Sequence, residues 1–185
     1  MSTTQPPQPQ TIDEVRDWYE NMDQCVLSHR VAVLASARAG LLPANTRFFA
    51  MALDEIEDFY RSQRKELEQL TVLALMASAE ASIRADYANR LKKGRSDPLS
   101  KAYAALHRNL DARFRNRPSL NDHIVETLKA AAVIPNHLVG NFRDALLLRH
   151  WLAHGRYWAV DLGRNTYAPD DIYRTIAAFL SAMPP

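Results

Sequence analysis

Between Asn45 and Lys93 the chain contains neither glycine nor proline. Nothing in that run stops a helix, and Lys93-Gly94 is a natural place for one to end. The run is too long for one ordinary globular helix, so it predicts two helices, or one helix bent near Arg61 to Arg64.

The flanking segments are also helical in pattern. Thr11-Ile12-Asp13-Glu14 has the form of a capping box, after which Ile12, Val15, Trp18, Tyr19, Met22, Cys25, Val26 and Val33 recur at helical spacing until Gly40. Asp97-Pro98 supplies an N-cap and a first-turn proline for a helix with Ala102, Leu106, Leu110 and Phe114 as its apolar stripe, ended by Pro118. A short helix opens at Ser119 to Asp122, continues through Ile124, Leu128 and Ala131, and closes at Pro135. The next runs from about His137 to His154, with Gly155 just beyond. Pro169-Asp170-Asp171 begins a last helix that directs Ile172, Ile176, Phe179 and Leu180 inward. YWAVDLGRNTYAP suggests either a small β-hairpin near residues 157–167, around Gly163-Arg164-Asn165, or a loop. The pattern predicts an all-α, single helical-bundle domain of six or seven helices over residues 11–185. Residues 1–10, MSTTQPPQPQ, have no apolar periodicity and read as a disordered Pro/Gln-rich tail.

A length of 185 residues with 47% hydrophobic content supports one good core rather than two. The longest apolar stretch, Leu70 to Ala79, is too short to span a bilayer. A secretory leader needs a basic start followed by an apolar run, and the N-terminus has neither. With Cys25 as the single cysteine, the expectation is a cytoplasmic protein in a reducing compartment, with no membrane association.

The net charge of +2 conceals an asymmetry. Asp13 to Glu68 carries seven basic and eleven acidic residues, whereas Arg84 to Arg117 carries ten and three. Arginine outnumbers lysine 18 to 5, which favours forked hydrogen bonding to phosphate. The basic segment is either a solvated helix face or a surface that follows a phosphate backbone.

The chemistry concentrates in RHWLAHGRYW, Arg149 to Trp158. A helical wheel puts Phe142, Ala145, Leu146 and Ala153 on one stripe with Arg149 at its centre, and Arg143, Leu147, His150 and His154 on the adjoining face. An arginine among apolar positions must be paired or open into a cleft. Glu80, the only acid between Gln69 and Arg84, could satisfy it in a bridge without chemistry. The functional alternative is a pocket that Arg149 borders with His154.

His150 and His154, four apart, face the same way and could share a metal. HWLAH nevertheless lacks the glutamate of HExxH and has no obvious third ligand nearby, and there is no nucleophile elbow or Gly-rich phosphate loop. Acid/base chemistry beside a fixed positive charge is the remaining possibility. His154 at a helix C-terminus would move a proton, and Arg149 would stabilise charge on a pentavalent phosphate.

Arg149-His150-Trp151-Leu152-Ala153-His154 resembles the signature of the HEPN superfamily, an arginine, a polar residue, a few further residues and a histidine at the end of a helix in a small bundle. Gly155 and the aromatic pair Tyr157-Trp158 are similar to the RiboL-PSP-HEPN-like branch. The Arg-to-His spacing also occurs at Arg117 to His123 and Arg143 to His150, but there without the helix end and following glycine. The resemblance covers about residues 138–158. It implies a metal-independent, cofactor-free endoribonuclease acting as a homodimer with a composite active site across the two-fold. The ribose 2′-hydroxyl would attack the adjacent phosphate to leave 2′,3′-cyclic phosphate ends. His154 would then handle the proton, Arg149 hold the scissile phosphate, and His150 orient the pair. Arg143 and Arg156 stand where they could serve as secondary phosphate contacts, although they belong to no family motif, and Tyr157 and Trp158 could stack on a base or pack in the core or a dimer interface. A toxin–antitoxin or phage-defence setting with an external antitoxin or regulatory partner is the context the family suggests, and a non-catalytic scaffold that binds nucleotides or proteins is its alternative.

Overall fold

The computed structural model describes residues 10–94, 96–115, 117–154 and 168–185. It is an all-α bundle of seven α-helices with no strand among the described residues. The tail over residues 1–9, the hairpin at 157–167, and Gly155, Arg156, Tyr157 and Trp158 lie outside the described residues.

Helix α1 spans Ile12–Arg38 and starts on the expected capping box: the Thr11 amide donates to Glu14 Oε2 at 2.7 Å, and the Glu14 amide to Thr11 Oγ1 at 3.2 Å. Helix α2, Leu53–Lys93, is one continuous element of 41 residues, about 60 Å long, and not the pair of helices that length alone suggested. Gly94, left-handed at φ 57°, closes it, its amide N–H donating a hydrogen bond to the Arg90 carbonyl.

Helix α3, Pro98–Asn109, carries the Asp97 cap, and the chain turns out at Leu110 before the one-turn α4, Ala112–Arg115. The expected single helix to Pro118 is therefore broken; the buried face of α3 is Leu99, Ser100 and Tyr103, and of the expected stripe Leu110 is buried and Leu106 packs against the core while Ala102 and Phe114 are half-buried. A π-helical segment, Leu120–Val125, leads into α5, Glu126–Ala130. Helix α6 is Asn136–Ala153 and α7 is Pro169–Ser181.

Two cores form along α2. Its C-terminal half presents Val72, Leu75, Met76, Ala79, Ile83 and Tyr87 to α3, the π segment, α5, α6 and α7. There Phe142 of α6 stacks on Phe179 of α7, with ring centroids 4.2 Å apart. The N-terminal half pairs only with α1 and the α1–α2 connection, around Val33, Leu34, Phe48, Ile56 and Tyr60. This distal hairpin explains a correction to α1. Trp18, Met22 and Cys25 were read as part of the apolar stripe, yet they are exposed because no third helix covers that side. The pairs Arg30–Glu57 at 2.7 Å and Arg64–Asp23 at 2.6 Å join the two helices instead.

The most enclosed charge is Arg90, 2% exposed, with Asp86 at 2.8 Å, Asp97 at 3.1 Å and the Pro184 carbonyl around its guanidinium. It ties α2, the α3 cap and the chain end together. Arg90→Met is expected to cost about 3 kcal/mol in chemical denaturation, the low end for breaking a buried pair, because the abandoned Asp86 and Asp97 side chains are 28% and 33% exposed.

Candidate active site

A groove of about 850 Å³ opens between α2, the π segment and α6. Helix α2 contributes Glu80 and Arg84, one turn apart. The Arg84 Nε donates to Glu80 Oε1 at 2.8 Å, and its Nη1 to the Pro118 carbonyl at 2.8 Å, which fixes the approach to the π segment. The π segment contributes Asn121 and Asp122 to the floor. Its backbone is widened there: the Glu126 amide reaches the Asn121 carbonyl, and the Ser119 amide donates to His123 Nδ1 at 2.9 Å.

Helix α6 supplies the opposite wall through Arg143, Leu146, Leu147, Arg149 and His150. Its buried face runs Val139, Phe142, Ala145, Leu148 and Leu152, set by contact with α7 and α2. Arg149 therefore lies beside this stripe rather than at its centre, and Ala153 is exposed. The Arg149 side chain is 40% exposed and faces the groove, so it does not carry the desolvation cost that the wheel implied.

The expected Glu80 contact exists in a loose form. Arg149 Nη2 stands 3.7 Å from Glu80 Oε2, beyond hydrogen-bond reach, while the other carboxylate oxygen is committed to Arg84. A pair this open to solvent contributes about 0–1 kcal/mol. Arg143 donates to Glu126 Oε2 at 2.9 Å, and its Nε is buried with no hydrogen-bond partner among the described residues.

His154 terminates α6, its amide donating to the His150 carbonyl at 3.1 Å. The imidazole is exposed, and its ring centroid lies 4.2 Å from that of His150. The structure thus brings Arg143, Arg149 and His150 to one groove and sets His154 against His150 at the helix end, outside the groove lining. No group of three metal-ligating side chains occurs among the described residues. Arg156 and Tyr157 lie outside the described residues.

Three arginines meet three carboxylates in the lining, Arg84, Arg143 and Arg149 with Glu80, Asp122 and Glu126. Of the described basic residues from Arg84 to Arg117, only Arg84 lines the groove. The sequence reading missed Asn121, Asp122, Glu126 and Arg84. Ser119 was legible as a cap, but nothing in the sequence marks the turn that follows it as π-helical. No helix among the described residues is long and apolar enough to cross a membrane.

Compared with protein-family models, curated proteins and solved structures, the chain matches none. The family resemblance therefore rests on the string from Arg149 to His154 and on the helical bundle that carries it.

The Arg143 guanidinium holds the Glu126 carboxyl below its ordinary value of 4.5. A depressed carboxyl pKa contributes stability that is present above the unfolded value and lost as pH falls through the folded one. Wild type is expected to lose more thermal stability than Glu126→Gln between about pH 5 and pH 3, by thermal melts across that range.

Proposed function

We propose that this protein is a metal-independent endoribonuclease of the HEPN type, with the α6 groove as its phosphate site. The observation that carries the reading is Arg149, half open to solvent on a groove wall, one turn from the exposed His150–His154 ring pair. The loosely held Arg149 Nη2 supports it as a donor, with the Arg143 side chain on the same groove wall.

In the reaction His154 takes the proton from the ribose 2′-hydroxyl as that oxygen forms a bond to phosphorus. The bond from phosphorus to the 5′-oxygen breaks, and an imidazolium returns a proton to the leaving oxygen. Arg149 neutralises the charge that builds on the non-bridging oxygens, which matters most at the pentavalent stage. His150 holds His154 through the ring contact. RNA is the substrate, the working form is a homodimer that sets two such motifs across one cleft, and control by an antitoxin or other regulatory partner in a toxin–antitoxin or phage-defence role belongs to the same proposal.

A second reading has its own support. The Glu80 carboxylate and the balanced charge of the groove suit a non-catalytic scaffold in which Arg149 is an internal counter-ion.

Incubating the full chain with mixed RNA in chelator decides between them. Wild type is expected to cut and leave 2′,3′-cyclic phosphate ends, and Arg149→Ala and His154→Ala each to lower the rate by about a hundredfold or more with helicity retained by circular dichroism. Glu80→Gln, which releases Arg149, is expected to tighten RNA binding. Absence of cleavage by wild type at every protein concentration, or unchanged rates in both alanine variants, overturns the nuclease reading.

A further inference from the structure

The far end of the molecule holds a second cavity, and its chemistry is different. It measures about 430 Å³, within the range of small-molecule sites, and lies where the α1–α2 connection folds over the hairpin. The connection is held in an unusual shape, with Gly40 at φ 68° and, less ordinarily, Ala50 at φ 65°.

Phe48 from this connection is buried against Tyr60, the rings stacked with centroids 5.6 Å apart, and meets Phe59 edge-on at 5.4 Å. His29 closes the aromatic wall at 5.8 Å from the Tyr60 ring, and the Tyr60 hydroxyl contacts His29 Nδ1 at 2.8 Å, which fixes the imidazole's orientation. Burial raises the Tyr60 hydroxyl above its ordinary value, with the Arg47 charge pulling the other way.

Arg47 stands over Phe59, its guanidinium carbon 4.1 Å from the ring centroid. It makes no hydrogen bond or ion pair among the described residues, unlike Arg30 and Arg64 on the same hairpin. One guanidinium face is occupied by the ring, so its N–H edge remains for a planar anion held by two parallel bonds.

We propose that this pocket binds a small aromatic carboxylate, its ring against His29 and Phe59 and its carboxylate on the edge of Arg47. The size excludes a polymer threading through it, and the aromatic walls favour a flat ring over an aliphatic acid. The site shares no residue with the α6 groove, so it stands or falls independently of the nuclease reading. Cys25, an exposed thiol in the pocket lining, is a built-in reporter of occupancy.

The test titrates naphthalene-2-carboxylate and its uncharged isostere naphthalene-2-carboxamide into the full chain by calorimetry. Wild type is expected to prefer the carboxylate by roughly tenfold, the scale of one charge-assisted hydrogen bond. Arg47→Gln is expected to abolish that preference while lowering the melting temperature by only a few degrees, since Arg47 is exposed, joins no ion pair and loses one cation–π contact. The carboxylate should also slow alkylation of Cys25 by iodoacetamide several-fold in wild type, as should its addition to Arg149→Ala. Equal binding of both probes to wild type, a preference that survives Arg47→Gln, or alkylation unaffected by the carboxylate overturns the proposal.

Discussion

The continuity of α2 is the constraint from which the rest follows. A helix about 60 Å long is roughly twice the diameter of a small domain's core, so one hydrophobic centre cannot bury its whole length. The helix accordingly changes partners. From Thr71 onward it is surrounded by α3, the π segment, α6 and α7, while its first two turns bury only Ile56 and Tyr60, against α1 and the connection. No residue between Arg61 and Leu70 is buried. This polar waist is held by Arg64 and Asp23, and it lies between the two cavities, which meet α2 at Phe59, Tyr60 and Gln63 and at Glu80 and Arg84, about 25 Å apart along the helix.

The core half of α2 determines what Arg149 can do. Glu80 and Arg84 are on the α2 wall facing α6, so the arginine meets an acid across the groove without being sealed by it. The magnitudes decide how firmly the arginine is held. A solvent-open pair separated by 3.7 Å contributes about 0–1 kcal/mol, whereas a charge-assisted hydrogen bond to an incoming anion contributes about 1.5–3 kcal/mol. On the proposed reading this difference is what lets a phosphate displace Glu80, whose other carboxylate oxygen stays bonded to Arg84.

Punctuation was legible in the sequence because each mark acts locally. The Thr11 box, the Asp97-Pro98 start, the Gly94 stop and Pro169 all function as their residue types require. The all-α class followed from them. What escaped were features set by distant partners. Trp18 and Met22 repeat at helical spacing as if they faced a core, and only the missing third helix on that side makes them surface residues. The wheel centred α6 on Arg149 by averaging its apolar residues, whereas contact with Phe179 rotates the buried line to Phe142, Ala145 and Leu148. Half of the groove comes from α2 and the π segment, whose convergence on α6 no local pattern announces.

The excess of arginine over lysine takes a different meaning once partners are known. Arg30, Arg64, Arg84, Arg90 and Arg143 each fork onto or pair with a carboxylate of this same chain. Arg30, Arg64 and Arg143 join separate elements and Arg84 and Arg90 also pair within α2, so these five of the 18 arginines have a structural use that needs no phosphate, and the basic stretch from Arg84 to Arg117 loses its most enclosed described member to the Arg90 cluster. The arginines informative about external ligands are those this internal use leaves under-committed. Arg149 has a distant carboxylate and Arg47 an aromatic face in place of one. Each borders a cavity, at opposite ends of the molecule, and the surroundings differ as two different ligands would require: polar and charge-balanced beside Arg149, aromatic beside Arg47. Both proposals thus rest on residual hydrogen-bonding capacity at a cavity wall and not on total positive charge.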